Sequence, residues 1–392
     1  MLKLFRRRRD ALAKPNEVIA QAVNTLATYT IDPSVPERVT KFLQNTDSRE
    51  LYRANPRMIG DRLQLSEPET LRLLVIALKE GLVTLNWEVQ CPACRCLDFS
   101  PKGLIDLRTN HTCPNCFHVH ATDADDGVRV TFSIDERLRR LEPEADDLDF
   151  RAKIDARYGV VSGHRLMTLQ TFRDLFPRET MPPNESLLIR RVAIVFTDLA
   201  GSTALYVRQG DTRAYNWVRQ HFDRLFRVVD EHNGAVVKTI GDAIMAAFTV
   251  PTDALQAAIA MHQQLKALNQ QLALSPEDEL ILKIGIDVGP CISVTLNERI
   301  DYFGTTVNTA ARVQATSKGN DIAVTDALLK DETVKAIAND CTWQRSNLML
   351  KGLEGSTVVH YLPPETIPIP QSLPDSQTRT KLTSEKVDKL ES

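Results

Sequence analysis

Long apolar runs are missing from this chain of 392 residues. The longest uncharged apolar runs, such as Leu73 to Leu78, fall far short of the roughly eighteen residues of a membrane helix, so no transmembrane segment is expected. An excess of one charge is missing too. There are 48 Lys and Arg against 51 Asp and Glu, a formal net charge of −3, which argues against a uniformly basic coat for nucleic acid. The N-terminus opens with Lys3 and Arg6 to Arg9, but no apolar h-region or small-residue cleavage site follows, so no secretory leader is expected. No internal repeat is found. The cysteines number seven, and an odd count fits a reducing compartment better than a disulfide framework. A soluble, cytoplasmic protein of two or three domains is the expectation.

What is present divides into six stretches. Residues 1–15 form a basic tip. Residues 16–90 read as a helical module, with Val18, Ile19, Ala22, Val23 and Leu26 on one face and Leu71, Leu74, Val75 and Leu78 on another. Residues 91–135 hold a cysteine cluster and an alternating strand, Val128 to Phe132. Residues 136–189 read as a helical connector ending in a linker at Met181-Pro-Pro-Asn184. From 190 to 362 strands and helices alternate, and 363–392 has the composition of a disordered tail.

The segment Asn55 to Val89 resembles a winged helix-turn-helix, with Ser66 capping a helix to about Glu80 and a strand from Leu82. DNA recognition by that helix is one reading. Residues 37–80, however, carry eight Lys/Arg and seven Asp/Glu, which gives phosphate contacts little help, so a packing or dimerisation module is the better expectation.

Cys91-Pro-Ala-Cys94 and Cys113-Pro-Asn-Cys116 have zinc-ribbon spacing, and four thiolates can complete a tetrahedron around one structural zinc ion. Cys96, His111, His118 and His120 lie near enough in sequence to substitute.

The second half is more specific. Arg191 to Asp198 reads as a buried strand ending in a carboxylate, followed by Gly201-Ser202-Thr203 entering a helix. A longer helix, about Asp211 to His232, would bury Tyr215, Val218, Phe222, Leu225 and Val229. Gly241-Asp242 turns the strand Ala235 to Ile240 into its partner, Ala243 to Phe248. Asp198 and Asp242 would thereby arrive side by side, an arrangement suited to two divalent metals gripping a triphosphate.

These segments occur in order with Asp301-Tyr-Phe-Gly304 and Asn308-Thr-Ala-Ala-Arg312. Together they resemble the class III adenylate/guanylate cyclase catalytic domain. The expected fold class is therefore α+β: a C-terminal ferredoxin-like class III cyclase domain and an N-terminal helical, winged-helix-like module with a zinc ribbon. The resemblance implies a βααββαβ core working as a head-to-tail homodimer with shared sites. It also implies roles. Asp198 and Asp242 match the family's two metal-binding aspartates, taking two Mg2+ or Mn2+ per site. Lys238 and Asp301 match its purine-selecting pair, and Asn308 and Arg312 its transition-state pair. Lys351 matches, more weakly, a lysine that binds the terminal phosphates. Backbone N–H groups from Ala200 through Gly201, Ser202 and Thr203 can cradle phosphate at a helix N-terminus.

An ammonium and a carboxylate complement adenine, which shows an acceptor at N1 and a donor at N6; guanine reverses both. ATP is the expected substrate and cyclic AMP the product. Residues 16–185 also resemble an uncharacterised region upstream of some bacterial cyclase domains, with the phrase Thr171-Phe-Arg-Asp-Leu-Phe-Pro177. That resemblance implies a regulatory or dimer-forming input with an unnamed ligand or protein. Two other readings stand beside this one: a transcription regulator whose cyclase domain only senses nucleotide, and a zinc module that docks a protein partner. Arg6 to Arg9 could touch anionic lipid or nucleic acid, or simply be solvated.

Overall fold

The computed structural model describes residues 15–366 except residue 354. The basic tip and the C-terminal tail lie outside the described residues but for their inner ends.

Four helices open the chain: α1 (Pro15–Val23), α2 (Val35–Asn45), α3 (Pro56–Leu63) and α4 (Glu67–Lys79). Asn55 caps α3 through its side-chain oxygen, and Ser66 with Glu69 forms a capping box on α4, as the Ser-x-x-Glu spacing dictates. Strand β1 (Val83–Gln90) follows. Next come β2 (Leu97–Asp98), β3 (Asn110–Thr112) and β4 (Val119–Ala121), then β5 (Val128–Ile134). β5 returns to pair with β1 along its whole length, Val83 opposite Ile134 and Val89 opposite Val128. The cysteine segment is therefore an insertion between two strands of one sheet, not a unit that follows the helical module.

Helix α4 is filled on both sides. Leu71 and Val75 enter one core, while Leu73, Leu74, Ile76 and Ala77 enter another with α1 to α3. The helix thus packs between two cores, with Glu69 and Lys79 left exposed.

The connector holds α5 (Leu148–Tyr158), α6 (Gly163–Met167) and α7 (Gln170–Leu175). The linker expected at Met181–Asn184 is not a free tether. Met181 is buried at 1% exposure, and its carbonyl accepts from Thr295 Oγ1 at 2.7 Å.

Then follow β6 (Ser186–Leu199), α8 (Ser202–Gln209), α9 (Asp211–Glu231), β7 (Ala235–Ile240), β8 (Ala243–Phe248), α10 (Pro251–Gln271), β9 (Leu282–Leu296), β10 (Arg299–Phe303) and α11 (Thr305–Thr316). The chain ends with β11 (Ile322–Thr325), α12 (Asp326–Leu329), α13 (Lys335–Asn339), β12 (Gln344–Leu348) and β13 (Thr357–Leu362). The main sheet runs β12-β13-β11-β9-β6-β8-β7, with β10 paired to β9. Its centre, β9-β6-β8-β7, has the strand order of a ferredoxin-like fold, antiparallel throughout, with helices after the first and third strands.

Along its centre, both faces of this sheet are covered. On β6, Ala193 and Val195 point to a core closed by α9 and α10, while Val192, Ile194 and Phe196 point the other way. There they meet Val237, Met245, Ala247 and Tyr302 of the same sheet together with Trp87, Leu166, Phe172 and Met181 from the first half of the chain. The two halves thus share one hydrophobic core. Tyr215 departs from expectation: it is exposed at 58%, because the buried stripe of α9 runs through Ala214, Trp217, Val218, His221 and Leu225 instead.

Candidate active site

Strand pairing brings two acids together. Thr197 on β6 stands opposite Ile244 on β8, so Asp198 lies one step beyond and Asp242 two residues before that pair. Gly241 and Asp242 form the two-residue turn between β7 and β8. Gly241 has φ 63°, a conformation that costs an L-residue with a Cβ strain, and this keeps the turn tight. Asp198 is half-buried, and its pKa is raised by burial and then by the neighbouring Asp242 carboxylate, with Lys283 opposing. Asp242 Oδ2 is buried with no hydrogen-bond partner among the described residues. Two crowded carboxylates with an orphaned oxygen are a poor arrangement by themselves and a fitting one for a divalent cation.

A second pair is complete. Lys238 Nζ lies 2.6 Å from Asp301 Oδ2, joining β7 to β10, and the Tyr302 amide donates to Asp301 Oδ1 at 2.8 Å. Asp301 is buried and Lys238 half-buried, its ammonium 5.4 Å from the Phe303 ring centre. Each carboxylate oxygen retains a lone pair for a further donor.

Asn308 and Arg312 stand four residues apart on α11, on one face, the first exposed and the second half-buried. The helix approaches β9 so closely that a Cβ on Gly285 would come within 2.1 Å of the Gln314 backbone nitrogen; only glycine permits this seat for α11. A Cβ on Gly352 would come within 3.3 Å of Arg312 Nη2, so the loop carrying the exposed Lys351 runs beside Arg312.

The start of α8 has Gly201 as N-cap residue, with φ 71° and no side-chain cap. The Ala200 amide is occupied, donating to the Ile281 carbonyl at 2.8 Å, which removes it from the expected phosphate cradle and leaves Gly201, Ser202 and Thr203.

The cysteine insertion makes a separate cluster. The Sγ atoms of Cys91, Cys94, Cys113 and Cys116 all lie within 4.8 Å of one another, placed to hold one metal ion. Both turns have the same backbone. Arg95 and Phe117, each following a second cysteine, have φ 59° and 60°, and their amides donate back to the Cys91 and Cys113 carbonyls. The amides of Asn115 and Cys116 point at Cys113 Sγ, each at 3.4 Å. Cys96 Sγ lies 3.2 Å from Cys113 Sγ, outside the quartet.

Sequence reasoning passed over two residues beside the second pair. Gln170 and Arg173 of α7 bond to the backbones of β7 and β10; Arg173 lies within the phrase Thr171 to Pro177, and Gln170 has no motif to signal it.

Parts of this chain are similar to known proteins. An adenylate cyclase of Anabaena cylindrica is 30% identical over 154 residues, covering 36% of this chain and 31% of that protein. Guanylate cyclase 32E of Drosophila melanogaster is 22% identical over 249 residues, covering 60% of this chain and 21% of that protein. The chain therefore spans less than a third of either curated relative. The adenylyl cyclase CyaB from P. aeruginosa aligns at a TM-score of 0.40 and 20% identity, covering 45% of this chain and 95% of that chain. Residues 19–152 match a family of unknown function (DUF5939). Residues 186–362 match the adenylate and guanylate cyclase catalytic domain, and this part of the chain is a class III cyclase domain.

Proposed function

We propose that the protein is an adenylate cyclase, converting ATP to 3′,5′-cyclic AMP and pyrophosphate. The observation that carries the reading is the Lys238–Asp301 pair, an ammonium and a buried carboxylate 2.6 Å apart in a cyclase domain. Such a pair offers a donor to adenine N1 and an acceptor to the N6 amine. Guanine would set donor against donor and acceptor against acceptor, a mismatch that costs orders of magnitude in selectivity when the groups are desolvated. Relatives of both specificities match the domain, so it is this pair that favours ATP.

Asp198 and Asp242 would hold two Mg2+ or Mn2+ ions, which when bound lower the pKa of the ribose 3′-hydroxyl and screen the triphosphate. Around them the chain's own groups do the rest. Amides of Gly201, Ser202 and Thr203 face the phosphates, Lys351 neutralises the leaving pyrophosphate, Arg312 meets charge developing on the α-phosphoryl group, and Asn308 orients the ribose.

A homodimer with shared sites is part of the reading. Its support is an apolar row across three strands, where Leu188 pairs with Ile292 and Ile292 with Phe303. These are 38%, 39% and 43% exposed, a contiguous patch of the sort that covers itself with a second copy. We assign the cysteine quartet to one structural zinc ion. Thiolates around zinc at about 2.3 Å stand about 3.8 Å apart at tetrahedral corners, close to the 3.6 Å of Cys91–Cys116 and of Cys94–Cys113. The N-terminal region, through a ligand or protein partner, would regulate the catalytic half. No helix among the described residues is long and apolar enough to cross a membrane.

The test is direct. The purified full chain is incubated with ATP or GTP and either Mg2+ or Mn2+, and the product is identified. Cyclic AMP from ATP, in clear excess over cyclic GMP from GTP, supports the reading. Absence of any cyclic product overturns it in favour of nucleotide sensing.

A further inference from the structure

The strands that carry Lys238 and Asp301 are both at edges. Among the described residues β7 ends the main sheet, and β10 pairs only with β9. The ammonium–carboxylate contact spans the gap between them, and a salt bridge alone is a weak way to fix a gap: one long flexible side chain, half exposed, can adjust over an ångström or more.

A second connection spans the same gap. Gln170 and Arg173 stand three residues apart on α7, on one face of the helix. The Val236 amide of β7 donates to Gln170 Oε1 at 2.8 Å, at the β-bulge that falls between Val236 and Lys238. Arg173 Nη2 donates to the Ile300 carbonyl of β10 at 2.5 Å, adjacent to Asp301. Burial lowers the pKa of Arg173, and the nearby Asp301 carboxylate opposes that shift. One turn upstream, Thr168 Oγ1 and the Tyr302 hydroxyl are 3.0 Å apart, which ties the residue after Asp301 to the same segment. The helix is itself anchored in the first half of the chain. Phe172 is buried against Trp87 of β1 with ring centres 6.4 Å apart, and against Phe176 at 5.7 Å.

We propose that Gln170 and Arg173 are positioning residues that hold the strands bearing Lys238 and Asp301 at the separation a purine edge requires, so that the N-terminal module sets base selectivity through α7. Neither residue touches substrate. Both act through backbone groups next to the recognition pair. The inference rests on the reading of Lys238 and Asp301 as the base-recognising pair, and its test separates the two. It also gives the Thr171–Pro177 phrase a role: Phe172 seats the helix and Arg173 reaches the strand.

The test uses the full chain with Gln170→Ala, Arg173→Ala and Arg173→Lys. For Arg173→Ala the ratio of kcat/KM for ATP over GTP narrows about tenfold, mostly through KM for ATP, with kcat at saturating ATP changed less than about threefold. Arg173→Lys keeps a cationic donor within reach of the Ile300 carbonyl and recovers most of the ratio. Hydrogen exchange gives a readout independent of turnover: residues 235–240 and 299–303 exchange faster in Gln170→Ala and Arg173→Ala, while α9, α10 and the cysteine insertion exchange as in the unaltered protein. Unchanged exchange at both strands overturns the proposal. So does a uniform rise across the molecule with ATP and GTP turnover falling in proportion, since that marks a merely structural role. If the unaltered protein does not prefer ATP, the base-recognition reading fails while the exchange data still decide whether α7 braces the two strands.

Discussion

Among the described residues, two groups of side chains are proposed to hold metal, and they differ in a way that would separate holding a fold from doing chemistry. The cysteine quartet is closed. Four side chains of one kind converge, two turns repeat the same backbone bonds, and amides point at the sulfur of Cys113. With four protein ligands, a tetrahedral ion there has no vacancy for water or substrate. The aspartate pair is open. It offers two carboxylates, one with a buried oxygen that nothing on the described chain satisfies, at the end of a strand and on a hairpin tip beside the amides of α8. An ion held there by two residues keeps most of its coordination sphere for phosphate oxygens. On the proposed reading, completeness goes with the structural role and incompleteness with the reactive one.

The largest effect that would sharpen this contrast falls on the open site. Asp242→Ala and Asp198→Ala each lower cyclic nucleotide formation by about a thousandfold or more, while the melting temperature and hydrodynamic size stay close to the unaltered values. Activity that survives either change would break the comparison. The closed site behaves in the opposite way. Cys91→Ser or Cys113→Ser lowers bound zinc from one ion per chain and reduces stability by several kcal/mol, on the order of what structural zinc contributes to a small module. Residual activity then tracks the folded fraction, which zinc analysis and thermal denaturation measure side by side. Zinc content that stays at one per chain would hand the role to Cys96.

A smaller effect comes from a buried carboxylate that belongs to neither centre. Asp287 on β9 is pushed up to about 6 by burial, and Thr325 Oγ1 donates to it at 2.6 Å. Its folded pKa lies above the unfolded one, so the stability it contributes is fully present below the ordinary value of 3.8 and is lost as pH rises through about 6. The loss is on the order of 3 kcal/mol. Asp287→Asn flattens that part of the stability–pH curve, and added Mg2+ leaves it unchanged, in contrast to a carboxylate that a cation can reach. A magnesium-dependent change at this residue would blur the distinction between buried acids and metal-binding ones.

Much of the cyclase-like half and of the cysteine insertion was legible because their signals are local. The hairpin Ala235–Ile240 and Ala243–Phe248 follows from alternation around Gly241-Asp242, and the two cysteine turns follow from spacing. What was not legible depends on segments distant in sequence. Period-2 alternation on β6 marks two apolar faces but not what covers them, and one cover comes from Trp87, Phe172 and Met181. Pairing of β1 with β5 cannot be read across an insertion whose own signal is stronger than either strand's. Met181-Pro-Pro-Asn184 has the composition of a linker, yet composition does not reveal that its methionine fills a core. On α9, Tyr215 sits at a helical spacing from Val218 and Phe222, but the stripe that faces the sheet is rotated by one residue, through Ala214. The occupied amide of Ala200 needed the position of Ile281, which no motif supplies.

We propose that one reaction uses Asp198 and Asp242 from one copy and Asn308 and Arg312 from another. This sharing is tested most directly by mixing. Asp198→Ala and Arg312→Ala chains, each inactive alone, are combined under conditions where subunit exchange is proven by differential tags. Random pairing makes half the dimers mixed, each with one intact site, so the mixture should recover about a quarter of the unaltered activity. A mixture that stays inactive despite proven exchange would contradict the account.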